Sequence, residues 1–386
     1  MQISSQLRNF FSTLTVLTLM VAVAPSAQAE TIAVTDIAGR TVMVKKDPQK
    51  VVLGEGRMIY SIALLDKDDP FKRIAGWKDD MKKYDPGAYR KYLKAFPHAD
   101  KIPSFGSPYS DEWNIEAVIA LGTEVVLMNL GNLMKAQESG IIEKLEKAGV
   151  ATIFIDFRQD PTANTIPTMQ LLGRIFDKRD EADSFSDFYV AQMKSIYSRV
   201  DRIPVDERPV VFIERAAGYN PDKCCSTFGA TNLGRLVDLA GGRNWGSAKT
   251  PGFTAKVSLE AIFADDPEII IGTGANWAEA NPATVAVLFG YEADEKMVQE
   301  RLGALANRPG WPELSAVKNG DFHSIYHQFY NSPYHFVAMQ AFAKWLHPEL
   351  FDDIDPTATW EELHDRFLPI DVSGVFWGSL PASSNQ

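Results

Sequence analysis

Cysteine is nearly missing from this chain of 386 residues: there are two, Cys224 and Cys225, side by side. That is too few for an iron–sulfur cluster or a structural zinc site. Neighbouring residues reach disulfide geometry only with strain, so a vicinal bond and two free thiols both stay open. Basic runs are missing too. With 39 Lys+Arg against 50 Asp+Glu the formal net charge is −11, a poor basis for binding nucleic acid. Beyond residue 29 no stretch approaches the roughly 18 apolar residues of a membrane span. Nor is there a G-x-S-x-G elbow, an H-E-x-x-H pair or a Walker A loop. Gly272-Thr-Gly274 lacks the third glycine and the following helix of a dinucleotide fingerprint. His323, His327 and His335 fall on a strand–loop–helix spacing that scatters them, against a three-histidine metal site. The chain does not read as an enzyme.

What is present is ordinary for a globular protein: 45% hydrophobic and 23% charged residues, with length for two domains. The N-terminus differs. Arg8 precedes an apolar run from Phe10 to about Ala24, and Ala27-Gln28-Ala29 follows as an A-x-A cleavage pattern. Residues 1–29 therefore read as a secretory signal peptide. No cysteine sits at the cleavage site to carry a lipid, so a freely diffusing periplasmic protein is expected.

One unit occurs twice. Asn114-Ile-Glu-Ala-Val-Ile-Ala-Leu-Gly-Thr-Glu-Val-Val-Leu127 is echoed by Ser258-Leu-Glu-Ala-Ile-Phe-Ala-Asp-Asp-Pro-Glu-Ile-Ile-Ile271. Glu116/Glu260, Ala117/Ala261, Ala120/Ala264 and Glu124/Glu268 are identical. Each copy predicts an N-cap, a short helix, a break and a buried strand. Two distant copies point to two similar lobes rather than a solenoid. Around them the pattern alternates strand and helix, with a β-hairpin over 32–44 and buried strands at Val51–Leu53, Ala151–Ile155, Val210–Ile213 and Phe322–Tyr326. Residues 79–100, rich in Tyr, Lys and Asp, read as a surface helical insertion. Phe185, Phe188, Tyr189, Met193, Ile196 and Val200 follow helical periodicity over roughly five turns. The expected fold is thus α/β: two Rossmann-like lobes with parallel sheets, residues 30–165 and 203–386, joined by one long backbone helix within 166–202.

In such lobes ligands meet the loops at the carboxyl ends of the strands. Those loops carry Arg57, Trp77 and Lys78, with Tyr109 before the first repeat helix. In the second half they carry Arg215, Tyr219, Trp277, His327 and Tyr330. Cationic and aromatic side chains together suit an anionic ligand with organic surface. A phenolate or an imidazole also suits a hard or borderline metal ion, which makes His327 and Tyr330 the candidate metal contacts.

Several motifs resemble the helical-backbone (class III) periplasmic binding proteins that serve ABC importers of iron–siderophore complexes, haem and cobalamin. They are Asp36-Ile-Ala-Gly-Arg-Thr-Val42, the Asn114-Ile-Glu unit, Leu236-Val-Asp-Leu-Ala-Gly-Gly-Arg-Asn244, Val257-Ser-Leu-Glu260 and Trp311-Pro-Glu-Leu-Ser-Ala-Val-Lys-Asn-Gly-Asp321. The resemblance implies that Glu116 and Glu260 sit on top of their lobes and pair with arginines of a membrane permease, itself driven by an ATPase. It implies a monomeric carrier with no intrinsic cofactor. The cargo most in keeping with the cationic, aromatic loops is a ferric siderophore, Fe(III) entering as part of the bound iron chelate. Haem, cobalamin or an oxyanion such as molybdate is the alternative.

Overall fold

The computed structural model describes residues 30–107 and 113–381. The signal-peptide reading of residues 1–29 and the proposed contact Tyr109 lie outside the described residues. The chain opens with an antiparallel hairpin of β1 (Thr31–Thr35) and β2 (Thr41–Lys45). A four-stranded parallel sheet follows, in the order β4-β3-β5-β6, from β3 (Val51–Leu53), β4 (Ile74–Trp77), β5 (Val125–Asn129) and β6 (Ala151–Ile155). These strands read as unbroken apolar runs because both faces are covered. Val51, Leu53, Leu127 and Ile153 face the main core, while Val52, Val126, Met128 and Phe154 face a smaller cluster with Val118 and Leu145.

The second sheet has seven strands: β7 (Val210–Glu214), β8 (Ser226–Phe228), β9 (Arg243–Asn244), β10 (Thr254–Lys256), β11 (Ile269–Gly274), β12 (Phe322–Tyr326) and β13 (Trp377–Ser379). Its centre, β7-β11-β12 with β9, is parallel as expected, but β8, β10 and β13 add antiparallel edges. The edge formed by β8 and β10 explains the cysteines. Cys224 and Cys225 are joined as a vicinal disulfide, and Cys225 exchanges both backbone hydrogen bonds with Val257, extending that pairing by one step.

Two packed helices, Pro161–Ile175 and Arg179–Val200, run between the sheets. The break falls at Asp177, whose φ of 55° ends the first helix. The second is 22 residues, roughly 33 Å long, with Asp180 and Glu181 favoured in its first turn by the helix dipole. A Cβ at Gly173 would lie 2.6 Å from the Ala182 Cβ, so only glycine allows the two helices to approach this closely. Phe188 and Tyr189 pack edge-on, and Phe185 tilted, against Phe336 of helix His335–Leu346 in the C-terminal half. Helix Ile59–Leu65 of the N-terminal half packs on the same long helix.

Both repeat copies fold alike. Asn114 Oδ1 accepts the Ala117 N–H at 2.8 Å and Ser258 Oγ accepts the Ala261 N–H at 3.3 Å. The second shared glutamate has a role invisible in the sequence. Glu124 accepts the Gln49 and Lys50 N–H groups just before β3, and Glu268 accepts the Val210 N–H at the start of β7. Each repeat strand thus pins the first strand of its own sheet.

Residues 79–101 depart from the surface insertion expected of them. They form helices Asp80–Tyr84 and Pro86–Ala95 and a 3-10 turn Pro97–Lys101. Met81, Asp85, Ala88 and Tyr92 are buried, because this insert is wedged between the two sheets' lobes. Polar composition misled: several of those polar groups find partners across the lobe boundary.

Candidate functional site

Loops at the carboxyl ends of β3, β6, β7, β11 and β12 converge on one cleft. A cavity of about 330 Å³ is lined by Arg57, Tyr84, Arg215, Tyr219, Trp277, His327, Gln328 and Tyr330, with Ala216. Six of the proposed contacts therefore meet in one place. Arg57 leaves the turn after β3, where a Cβ at Gly56 would lie 2.3 Å from the Lys78 carbonyl oxygen. That close passage brings Asp80 against the turn: it accepts the Gly56 N–H at 2.5 Å and Arg57 Nε at 2.7 Å. Arg57 Nη1 then donates to Gln328 Oε1 at 2.8 Å and to the Tyr330 hydroxyl at 3.0 Å.

Two side chains missed by sequence reasoning stand behind the wall, against Tyr330. Arg158, in the loop after β6, lies 5.3 Å from the Tyr330 ring centroid and donates to Glu55 Oε2 at 2.6 Å. It stands at a strand's carboxyl end, the same signal that marked Arg57 and Arg215. Asn232 has a left-handed φ of 57°, unusual for a non-glycine residue. Its side-chain amide donates to the carbonyls of Arg158 and Tyr330, tying a loop from each half together. Nothing local in the sequence announces that bond.

The electrostatics follow from three guanidinium groups in one small space. Arg57 and Arg158 each have a carboxylate partner, Asp80 and Glu55. Arg215 has none among the described residues, and its Nε is buried without a hydrogen-bond partner. Burial, with Arg158 and Arg57 nearby, holds Arg215 below its ordinary value. Burial opposes ionisation of Tyr330, yet Arg158 and Arg57 outweigh it and bring the phenol below its usual 10. Burial first, then Arg215, Arg57 and Arg158, keep His327 well below 6.5, hence neutral at physiological pH. Its Nδ1 is bonded to Thr273 Oγ1 at 2.8 Å, which leaves Nε2 as the ring nitrogen available to a ligand. The ring centroids of His327 and Tyr330 lie 4.5 Å apart. Trp277 packs edge-on against both Tyr219 and His327 and supplies an aromatic wall.

Other proposed contacts lie elsewhere. Trp77 and Lys78 line a separate depression with Tyr89 and Asp100, and Trp77 packs edge-on against Phe71. They stand at the end of β4, an outer strand of its sheet, and line that depression rather than the cleft. His323 stacks on Trp345 at 4.6 Å and His335 binds the Tyr189 hydroxyl, so the histidines are scattered as their spacing implied. Among the described residues, the metal-ligand grouping close enough to share an ion is Glu214, Cys224 and Cys225. The disulfide and the bidentate pairing of Glu214 with Arg308 already occupy those atoms. Glu116 and Glu260 are exposed in the first turns of their helices. No helix among the described residues is long and apolar enough to cross a membrane.

A family model described as periplasmic binding protein matches residues 77–327, about two thirds of the chain. Among solved structures, the TroA-like periplasmic binding protein FepB from Veillonella parvula is 28% identical with a TM-score of 0.82. That match covers 90% of this chain and 99% of that one. The molybdate-bound protein MolA from Haemophilus influenzae is 18% identical with a TM-score of 0.67, over 89% and 99% of the two chains. A periplasmic haem-binding protein from Pseudomonas aeruginosa is 17% identical with a TM-score of 0.52, over 78% and 94%. No curated protein sequence matches. With its two α/β lobes and the match to that family model over most of its length, the chain belongs to the periplasmic binding protein family, solute carriers of ABC importers rather than enzymes.

Proposed function

We propose that the cargo is an anionic ferric chelate of the siderophore class, held in the cleft between the lobes and delivered to an inner-membrane permease and its ATPase. The observation that carries this reading is the convergence of Arg57, Arg158 and Arg215, from both halves of the chain, beside Tyr330 and His327. Guanidinium groups would hold the chelator's carboxylate or catecholate oxygens through charge-assisted hydrogen bonds. Trp277 and Tyr219 would cover its organic face. Tyr330 and the free His327 Nε2 would reach an open coordination position on iron. Glu116 and Glu260, one exposed on each lobe, would dock to permease arginines, so their separation would report the state of the cleft.

A second reading is favoured by size. A cavity of about 330 Å³ is at the small end for ligand pockets, which run from roughly 300 to 1,000 Å³. A compact oxyanion such as molybdate would fit it without any opening, whereas haem or cobalamin would need a much wider cleft. The deciding experiment combines native mass and a visible spectrum of periplasmic protein with tryptophan quenching by ferric chelates and by molybdate. A coloured ferric complex, or submicromolar quenching by a ferric chelate, supports the first reading. Silence toward ferric chelates with a response to molybdate would replace it with the second.

A further inference from the structure

Beside the cross-lobe bonds of Arg57 and Asn232, further contacts that hold the lobes together come from the insert of residues 79–101. Asp85, in the break between its two helices, is 2% exposed. One carboxylate oxygen accepts both the Tyr60 hydroxyl, from the N-terminal lobe, and the Tyr326 hydroxyl, from the end of β12 in the other lobe. Around that point Gln328 Nε2 donates to the Tyr84 carbonyl at 2.7 Å, and Lys91 Nζ donates to Ser373 Oγ at 2.6 Å. Arg90 pairs with Glu279 and Glu292 of the C-terminal lobe. On its opposite side the insert carries Asp80, the partner of Arg57. One short element thus aims a cleft arginine and grips the opposite lobe.

We propose that this insert is an inter-lobe strap and that Asp85 is its positioning residue: seated, it fixes the lobe separation and the aim of Arg57; lifted, it frees the cleft to open. The link to cargo release rests on the reading of the cleft as the cargo site; the strap itself does not. The carboxylate's surroundings add a direction. Tyr60, Tyr326, Tyr291 and Tyr92 face Asp85, with Arg57 the nearest cation. Burial pushes the Asp85 carboxyl up to about 6, although the Tyr326 and Tyr60 hydroxyls oppose that shift. The four tyrosines are held above their usual range, by burial first, and stay protonated. Once lifted into water, Asp85 returns toward the ordinary 3.8. Seating therefore takes up a proton. It is favoured as pH falls through about 6, by up to about a hundredfold once the pH is below the ordinary carboxylate range.

The test is the distance between spin labels on cargo-free protein carrying Lys144→Cys and Glu300→Cys, one on each lobe; the disulfide leaves no native thiol to label. Wild type is expected to give a single short distance near about pH 5 and a second, longer population near about pH 7.5. Tyr326→Phe, which removes only the C-terminal lobe's half of the pin, should show the longer population at both. Asp85→Asn keeps an acceptor without a titrating proton and should give a distance independent of pH. Arg90→Ala disturbs only half-exposed contacts, so it folds, and it too should lengthen the distance. A wild-type response that persists in Asp85→Asn, or a distance unmoved in both Tyr326→Phe and Arg90→Ala, overturns the strap. Because no cargo is present, that failure would leave the cargo reading intact, and failure of the ferric-chelate titration would leave the strap intact.

Discussion

Arg215 and Arg57 face one cavity, yet their replacement by methionine should affect the protein in opposite ways. Arg215 is a largely buried cation whose charge burial disfavours, with Nε unpartnered and no carboxylate beside it. Arg215→Met removes that desolvated charge and keeps most of the side chain's volume, so the cargo-free protein should gain about 1 kcal/mol. If Arg215 meets an anionic cargo, the same change removes a charge-assisted contact of about 1.5–3 kcal/mol, roughly a 10- to 150-fold loss of affinity. Arg57→Met strands Asp80, which is fully buried and bonded to Arg57 Nε. Breaking a buried pair on one side costs about 3–5 kcal/mol. Chemical denaturation of the cargo-free variants, beside tryptophan quenching by a ferric chelate, separates these effects. If Arg215→Met destabilised the protein as much as Arg57→Met, or left affinity unchanged, the view of Arg215 as a cation kept for cargo would be refuted.

Three further outcomes are expected. Phenolate absorbance should begin to rise at lower pH in wild type than in Tyr330→Phe, because Arg158 and Arg57 favour the ionised phenol against its burial. The sign follows: a folded value below the unfolded one adds stability at high pH, and this is lost as pH falls through the folded value. Charge reversal at Glu116 and Glu260 together should leave quenching by a ferric chelate unchanged and abolish uptake in cells, since both side chains are exposed on repeat helices. Phe185→Ala should cost about 3–5 kcal/mol in urea denaturation, because Phe185 is fully buried against Phe336 and Phe367.

The strand-end rule found the cleft because a parallel sheet sends all its carboxyl-end loops to one edge, whichever residues they carry. It brought Arg57, Arg215, Tyr219, Trp277, His327 and Tyr330 together. It also marked Trp77 and Lys78, which share the rule but line another depression. Arg158 obeys the same rule and was passed over. Asn232 obeys none: its meaning depends on two carbonyls, from Arg158 and Tyr330, each distant in sequence.

By itself the sequence determined the class of fold. Periodicity set the strands and the long helix, and the repeated cap–helix–strand unit set the two lobes, because these depend on neighbours a few residues apart. Tertiary structure decided the rest. It made residues 79–101 a bridge rather than a surface appendage, and gave Glu124 and Glu268 their strand-pinning bonds. It also buried Asp85 between hydroxyls from both lobes. Each of those outcomes depends on partners far along the chain, and a polar side chain looks the same in sequence whether water or a distant lobe will satisfy it.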